Sequence, residues 1–267
     1  MPNKTNLYDA TRCTACRGCQ VACKNWNQNP AWIEPFKGNY QTHEDTNSHT
    51  FTIINMNETE DGMGVKWYFS KRQCMHCMNA ACIKVCPRGA LSRNKWGAVI
   101  KDYDKCIGCQ YCANACPFEI PKYDDRRDVV TKCTLCAERV DTGLTPACAK
   151  TCPAGALQFG DREELLVIAR QRVAFLRANG NPNANIYGES ELGGLNKLYV
   201  LGDTPDKYGL PVNPKIRTSI YVWQNVLQPW LILLPAVALA GSATSFITTR
   251  LLANQKAKYS AHHEEEV

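Results

Sequence analysis

The sequence has 267 residues, of which 16 are cysteines, and a formal net charge of +6 at pH 7. This length allows one or two domains, and the lysines and arginines are scattered, so we expect no nucleic-acid partner. The cysteines are too dilute, and the chain too long, for a small secreted disulfide scaffold.

In chain order, the first feature is a group of cysteines in the stretch CTACRGCQVAC, residues 13–23. Three further groups of four follow, and no cysteine is left over. The four groups are Cys13, Cys16, Cys19 and Cys23; Cys74, Cys77, Cys82 and Cys86; Cys106, Cys109, Cys112 and Cys116; and Cys133, Cys136, Cys148 and Cys152. Proline follows the last cysteine of the second, third and fourth groups, whereas Lys24 follows that of the first.

An insertion, residues 24–73, separates the first two groups. It is rich in Asn and Thr, and the stretches HTFTII (49–54) and VKWYFS (65–70) have the composition of β-strands. We interpret the insertion as a structural cover over the cysteine groups. A surface that docks a partner protein is the alternative interpretation.

The stretch between the second and third groups predicts a β-hairpin. Residues 90–103 alternate between apolar and polar side chains, and the turn is expected at Asn94 to Gly97. The element CPRGAL (86–91) recurs as CPAGAL (152–157) at the end of the fourth group. This recurrence indicates an internal duplication.

An amphipathic helix is predicted after the fourth group, over residues 161–180. Asp161 is a candidate N-cap with Glu164 at the third helical position, and Gly180 ends the pattern. The apolar face of this helix consists of Leu165, Leu166, Ala169, Val173 and Leu176. Residues 180–217 are rich in glycine and proline, and they predict an extended wrap over the surface.

The region 218–249 contains no charged residue. Within it, residues 226–247 would span about 33 Å as a helix at about 1.5 Å per residue, which is enough for a bilayer core of about 30 Å. Trp223 and Trp230 suit a membrane interface, and the small residues at 240–245 suit packing against another membrane helix. We predict one transmembrane helix, with a hydrophobic tail buried on a soluble partner as the alternative.

The cysteine spacing points to iron–sulfur chemistry. Three thiolates separated by two residues on a tight loop can each bind one iron of a [4Fe–4S] cubane, and the fourth cysteine of the motif reaches another cluster of the pair. Thiolates suit this role because they are soft ligands. Four groups of four cysteines therefore predict four [4Fe–4S] clusters, held by two ferredoxin-like units of two clusters each.

Two other uses of the cysteines remain open. Zinc sites employ pairs spaced as Cys133 and Cys136 are, but they do not require a third cysteine two residues further on. Disulfides can form from any even number of cysteines, yet three sulfurs this crowded do not easily find separate partners. Both alternatives explain less of the pattern than four cubanes do.

Two other side chains lie within the cysteine groups. We expect His76 to hydrogen-bond a sulfur or a carbonyl rather than to bind iron, because four cysteines are already available. Arg17 either raises the potential of the adjacent cluster through its charge or is exposed to solvent. The chain contains no H-E-x-x-H, P-loop or dinucleotide-binding motif, and we expect no catalytic residue in it.

Several longer motifs carry a family resemblance. The stretches RCTACRGCQVACKNWN, TKCTLCAERVDTGLTPACAKTCPAGALQFGD and LYVLGDTPDKYGLPVNPKI closely resemble the iron–sulfur (β) subunit of molybdenum- or tungsten-containing formate dehydrogenases. The cysteine framework by itself also fits the electron-transfer subunits of dimethylsulfoxide, polysulfide and tetrathionate reductases. Because the hydrophobic segment lies at the C-terminal end, the chain is most similar to the membrane-bound periplasmic type.

The resemblance implies a crossed ligation pattern, in which three cysteines of one group share a cluster with the last cysteine of another. The implied sets are Cys13, Cys16, Cys19 and Cys152; Cys133, Cys136, Cys148 and Cys23; Cys74, Cys77, Cys82 and Cys116; and Cys106, Cys109, Cys112 and Cys86. It also implies that the pair of clusters from the first and fourth groups faces the catalytic subunit, and that the other pair faces the membrane.

The resemblance further implies a role in electron transfer. A separate molybdopterin catalytic subunit, with Mo or W, would oxidise formate, and the electrons would pass through four [4Fe–4S] clusters to a membrane cytochrome b subunit and quinone. The same role in a sulfur-compound or sulfoxide reductase complex is the main alternative. A free-standing polyferredoxin and a zinc-organised interaction module are weaker ones, and the uncharged C-terminal segment disfavours the polyferredoxin.

These interpretations combine into an α+β fold of two ferredoxin-like 2[4Fe–4S] units with inserted loops, plus one C-terminal transmembrane helix. The expected boundaries are 1–160 for the two interleaved units, 161–217 for the helix and wrap, 218–249 for the membrane region and 250–267 for a polar tail. The N-terminal stretch shows no export signal, so we expect the folded chain to cross the inner membrane with a partner that carries a twin-arginine signal. The globular part would then be periplasmic.

Overall fold

The computed structural model describes residues 3–38, 40–61, 64–217, 219 and 222–264. Helices and strands are mixed along the chain, as expected for an α+β fold. The chain divides into two compact units, Met1–Ile216 and Arg217–Val267. All sixteen cysteines belong to the first unit.

The first unit contains ten short strands and six helices within the described residues. The strands are β1 (Lys4–Asp9), β2 (Ile53–Asp61), β3 (Gly64–Arg72), β4 (Leu91–Arg93), β5 (Val99–Lys101), β6 (Lys122–Asp124), β7 (Val129–Thr131), β8 (Leu157–Asp161), β9 (Asn185–Tyr187) and β10 (Lys197–Leu201). The helices are α1 (Gly18–Trp26), α2 (Ala81–Lys84), α3 (Tyr111–Ala115), α4 (Ala137–Asp141), α5 (Ala147–Lys150) and α6 (Arg162–Ala178). Single 3₁₀ turns lie at Glu191–Gly193 and Pro205–Tyr208.

A four-stranded sheet in the order β8-β1-β10-β9 organises this unit. Strand β1 pairs antiparallel with β8 and parallel with β10, and β10 pairs antiparallel with β9. Every residue of β10 is buried, so the prediction of a surface wrap over residues 180–217 is wrong for this strand. The glycines and prolines that suggested a wrap flank a central strand, whose position depends on the distant partner β1.

The two faces of the sheet pack against different parts of the molecule. Side chains alternate along a strand, so Leu7, Leu198 and Val200 contact α6 on one face. On the other face, Tyr8 and Tyr199 belong to the hydrophobic cluster that contains the cysteine loops. The sheet therefore lies between α6 and the cluster that contains the cysteines.

Helix α6 confirms the predicted amphipathic helix, and its buried residues are the five of the predicted apolar face. Asp161 occupies the N-cap position as predicted, but its side chain makes no capping hydrogen bond. Its Oδ2 atom instead accepts a hydrogen bond from Lys4 Nζ at 3.0 Å. This ion pair ties the start of α6 to the first strand of the sheet.

Three two-stranded antiparallel hairpins complete the first unit: β2–β3, β4–β5 and β6–β7. The β4–β5 hairpin confirms the prediction over residues 90–103, and its turn is closed by a hydrogen bond from Gly97 N–H to Asn94 O at 3.0 Å. In the insertion, VKWYFS lies within β3 as expected. The first predicted strand, HTFTII, is misplaced, because β2 begins only at Ile53 and continues to Asp61.

The second unit is one long helix. A π-helical turn, Trp223–Leu227, runs into α7 (Gln228–Glu264), which includes Pro235. One stretch of it, Asn225–Ala253, is long and apolar enough to cross a membrane, with a mean hydropathy of 1.9, and none of its described side chains is buried. The predicted boundaries at residues 218 and 267 lie outside the described residues.

Candidate functional site

None of the sixteen cysteines forms a disulfide, and together they line four separate cavities. Each cavity takes three cysteines from one sequence group and one from another. The first cavity is lined by Cys13, Cys16, Cys19 and Cys152; the second by Cys23, Cys133, Cys136 and Cys148; the third by Cys74, Cys77, Cys82 and Cys116; the fourth by Cys86, Cys106, Cys109 and Cys112. These are the sets that the resemblance implies, and their ligation of iron stays a prediction.

The four cavities are of nearly equal size. The space without protein atoms measures about 330, 360, 390 and 340 Å³ from the first to the fourth, counting the open solvent at their mouths. Among the described residues, no three His, Cys, Asp or Glu side chains stand close enough together to hold a single metal ion. The thiols of each cavity surround a wider space, and a group of several metal atoms fits this arrangement better than a single zinc ion does.

Two short helices each hold cysteines that line two different cavities. On α1, Cys19 lines the first cavity and Cys23, one turn later, lines the second. On α3, Cys112 lines the fourth cavity, and Cys116, directly after the helix, lines the third. Residues four apart lie on the same side of a helix, one turn apart, so each of these helices runs alongside two cavities and presents one thiol to each.

The first and third cysteine groups share an unusual backbone conformation that the sequence did not predict. Arg17 and Gln110 occupy equivalent positions, directly before α1 and α3, and both have φ 59° and ψ 6°. A non-glycine residue in this left-handed region costs about 1–3 kcal/mol, and such residues concentrate at functional sites. The shared geometry supports the interpretation that the two loops are copies of one motif.

Hydrogen-bond donors point at several of the sulfurs. The backbone N–H groups of Ala15, Leu135 and Ala90 donate to Sγ of Cys13, Cys133 and Cys86 at 3.4, 3.4 and 3.2 Å. Side-chain amides add to this in the second cavity, where Asn27 Nδ2 lies 3.5 Å from Cys23 Sγ and Asn6 Nδ2 lies 3.8 Å from Cys148 Sγ. Such donors stabilise negatively charged sulfur.

Burial acts against ionisation of most of these thiols. It raises the pKa of Cys82 and Cys133 to about 12 and that of Cys112 and Cys136 to about 11. Burial also raises the pKa of Cys106, but hydrogen bonds from the Val130 and Gly108 backbone outweigh it and lower the pKa overall. A buried thiol of raised pKa needs a positive partner to ionise at neutral pH, and a bound metal ion would supply one.

Three lysines lie fully or almost fully buried among the cysteine loops: Lys71, Lys132 and Lys197. Burial lowers the pKa of Lys71, but the thiolates of Cys19 and Cys148 outweigh it and raise the pKa overall. Burial lowers the pKa of Lys197 to about 7, and the charge of Lys71 adds to that effect. Sequence patterns gave no sign of these cations, because lysine is normally a surface residue.

His76 and Arg17 take positions that differ in part from expectation. His76 is fully buried, and its Nδ1 accepts a hydrogen bond from Val99 N–H at 3.0 Å; the expected partner, a sulfur or a carbonyl, is wrong. Burial lowers its pKa well below the usual value, so the ring is neutral. Arg17 borders the first cavity, and its guanidinium donates to Tyr40 O of the insertion.

The cavities differ in their access to the surface. Cys16 of the first cavity and Cys109 of the fourth are exposed. In contrast, Cys133, Cys136 and Cys148 of the second cavity are buried, and Cys74 of the third is buried as well. The first and fourth cavities are therefore the ones that a partner protein can approach most closely.

Comparisons with known proteins agree with this chemistry. Two family models, each described as a 4Fe-4S dicluster domain, match residues 12–90 and 65–162. Together these stretches include all sixteen cysteines.

Three relatives are similar over most of the chain. The formate dehydrogenase iron-sulfur subunit of Haemophilus influenzae is 40% identical over 266 residues, which are 97% of this chain and 84% of that protein. The nitrate-inducible formate dehydrogenase iron-sulfur subunit of Escherichia coli is 41% identical over 227 residues, 84% of this chain and 77% of that protein. Formate dehydrogenase 2 subunit beta (cytochrome c-553) of Nitratidesulfovibrio vulgaris is 35% identical over 214 residues, 77% of this chain and 96% of that protein.

Proposed function

The chain belongs to the family of formate dehydrogenase iron–sulfur subunits, and on that premise we propose that it transfers electrons from a molybdopterin catalytic subunit, with Mo or W, to a membrane cytochrome b subunit and quinone. The observation that carries the proposal is the set of four cavities, each lined by four cysteines from two sequence groups. With a one-electron carrier in each cavity, the chain would have four electron-transfer sites between its two exposed cysteines, Cys16 and Cys109.

We assign one [4Fe–4S] cluster to each cavity, held by the four cysteines that line it. When bound, such a cluster supplies reversible one-electron transfer. The cysteines fix its position, the surrounding N–H groups stabilise the charge on sulfur, and the apolar residues of the core keep water away. Two ferredoxin-like units, interleaved within residues 1–160, would hold the four clusters.

The exposed cysteines suggest the direction of the path through the chain. Cys16 would mark the point nearest the catalytic subunit, and Cys109 the point nearest the membrane acceptor. This orientation is supported by the exposure of these two residues and by the order that the family resemblance implies. Substrate conversion would take place in the catalytic subunit, because the sequence contains no recognisable catalytic motif.

Helix α7 is the proposed membrane anchor. Its apolar stretch, Asn225–Ala253, has the length and hydropathy of a membrane span. Arg250, Lys256 and Lys258 follow the apolar residues, whereas Lys215 and Arg217 precede them. The slight excess of positive charge after the helix favours a cytoplasmic C-terminus, so we place the first unit on the periplasmic side of the inner membrane.

Metal analysis of the purified complex tests the cluster assignment. We expect about 16 iron atoms and a similar amount of acid-labile sulfide for each copy of this chain, because each of four cubanes contributes about four of each. The catalytic subunit's own metal and clusters must be counted separately, by analysis of a preparation from which this chain has been removed. A clearly smaller iron content, or zinc at one or more atoms per chain, would contradict the assignment.

A further inference from the structure

A buried chain of polar contacts links a lysine to a cysteine of the second cavity. Lys197 Nζ donates to Asn6 Oδ1 at 2.7 Å, and Asn6 Nδ2 donates to Cys148 Sγ at 3.8 Å. Asn6 and Lys197 are both fully buried. They are direct partners in the parallel pairing of β1 with β10, so the sheet fixes the distance between them.

The two contacts determine which way the Asn6 carboxamide faces. In its charged form Lys197 carries donors and no acceptor, so it holds the amide oxygen on its own side, where Nζ and Oδ1 stand 2.7 Å apart. The amide nitrogen then faces the sulfur, where it can donate. The opposite orientation would place two donors against each other and an oxygen against a negatively charged thiolate. Lys197 therefore selects the rotamer in which Asn6 hydrogen-bonds Cys148.

Burial of the charged Lys197 side chain in this position costs free energy. Among the described residues, no carboxylate lies within ion-pair distance of it, and its nearest aromatic neighbours are the rings of Tyr8 and Tyr199, each 5.3 Å from Nζ. A buried ammonium without an acidic partner costs several kcal/mol. The charge of Lys71 acts against protonation of Lys197, and the negative groups that favour it are the sulfurs of Cys148, Cys19 and Cys133.

We propose that Lys197 is a positioning residue that orients Asn6, and that the resulting N–H···S hydrogen bond raises the reduction potential of the cluster in the second cavity. Reduction adds negative charge to a cluster and its thiolates, and a donor to sulfur stabilises the reduced state more than the oxidised one. This inference rests on the proposed function, because it requires a cluster bound by Cys23, Cys133, Cys136 and Cys148.

The structure provides an independent donor for comparison. Asn27 Nδ2 lies 3.5 Å from Cys23 Sγ in the same cavity, and it also donates to Cys23 O at 2.7 Å. No contact connects Asn27 to Lys197 among the described hydrogen bonds. The effects of Lys197 and Asn27 should therefore add, whereas those of Lys197 and Asn6 should not.

The test is a redox titration of the holo-complex followed by electron paramagnetic resonance. The variants are Asn6→Leu, Lys197→Met and the double variant, and the signal of the second cavity is the one lost in Cys23→Ser. We expect each single variant to change the reduced-to-oxidised ratio of this cluster about tenfold, a fall of about 59 mV for a one-electron couple. The double variant should fall no further than either single variant.

Control variants separate this mechanism from a general effect of charge. Lys95→Met removes the same charge from an exposed position and should leave the potential unchanged. Lys197→Arg should largely retain the wild-type potential. Asn27→Leu combined with Lys197→Met should show additive shifts. Additive shifts for Asn6 and Lys197, or a potential that does not move in the single variants, would overturn the inference.

Iron content distinguishes failure of this inference from failure of the proposed function. If the variants retain their iron but the potential is unchanged, the inference fails and the cluster assignment stands. If the wild-type complex lacks a cluster in this cavity, the assignment itself fails. If Lys197→Met does not assemble, the double variant provides the measurement, because it leaves neither polar side chain buried without its partner. An unchanged potential in the double variant would again overturn the inference.

Discussion

Replacing Cys23 with serine is expected to destroy or alter the cluster of the second cavity, although Cys23 belongs to the first cysteine group. The Cys23 thiol lines the cavity formed by Cys133, Cys136 and Cys148. Loss of that cluster would remove about one quarter of the iron held by this chain, because four cubanes contribute equally. Metal analysis and electron paramagnetic resonance of the purified complex would measure the loss, and electron transfer to quinone should be abolished with it.

Cys19→Ser is the matched control for this experiment. Cys19 lies on the same helix, one turn before Cys23, but its thiol lines the first cavity. The two serine variants should therefore remove different signals from the spectrum. A third variant, Cys116→Ser, should disturb the cluster of the third cavity rather than that of the fourth. If Cys19→Ser and Cys23→Ser remove the same signal, the crossed assignment is incorrect.

Ending the chain after Arg217 is expected to release the complex's electron-transfer unit from the membrane. Residues 226–247 contain ten Leu, Ile, Val and Phe residues, and each contributes about 0.3–0.6 kcal/mol at the centre of a membrane helix, or about 3–6 kcal/mol together. The remaining unit, Met1–Ile216, is compact by itself and should keep its iron. Formate oxidation with artificial dyes should therefore continue, while quinone reduction is lost.

A chain that ends after Ala253 is the control for the truncation. It removes the polar residues 254–267 and keeps the whole apolar stretch, Asn225–Ala253. This shorter deletion should leave both membrane attachment and quinone reduction intact. Sedimentation with membranes after a salt wash measures attachment. If the complex truncated after Arg217 still sediments with washed membranes, the anchor lies elsewhere, and α7 instead packs against a partner protein.

Features that depend on neighbouring residues could be read from the sequence. Each of three predicted features rests on a short-range pattern: the cysteine spacing, the β4–β5 hairpin and the apolar face of α6. Such patterns are visible in the sequence because a tight loop, a strand and a helix each impose their own spacing. The apolar stretch that follows residue 217 is equally local, since it is defined by length and composition. For such features, the chemistry of adjacent residues was sufficient.

Features that depend on distant partners were decided by the tertiary structure. The sequence placed residues 197–201 in a surface wrap, because nothing near them shows that β1 lies alongside. The parallel pairing of β1 with β10 buries this strand and brings Asn6 beside Lys197. It also presents Asn6 to the sulfur of Cys148, far along the chain. Burial of a lysine leaves no local pattern, since its environment is assembled from several separate segments.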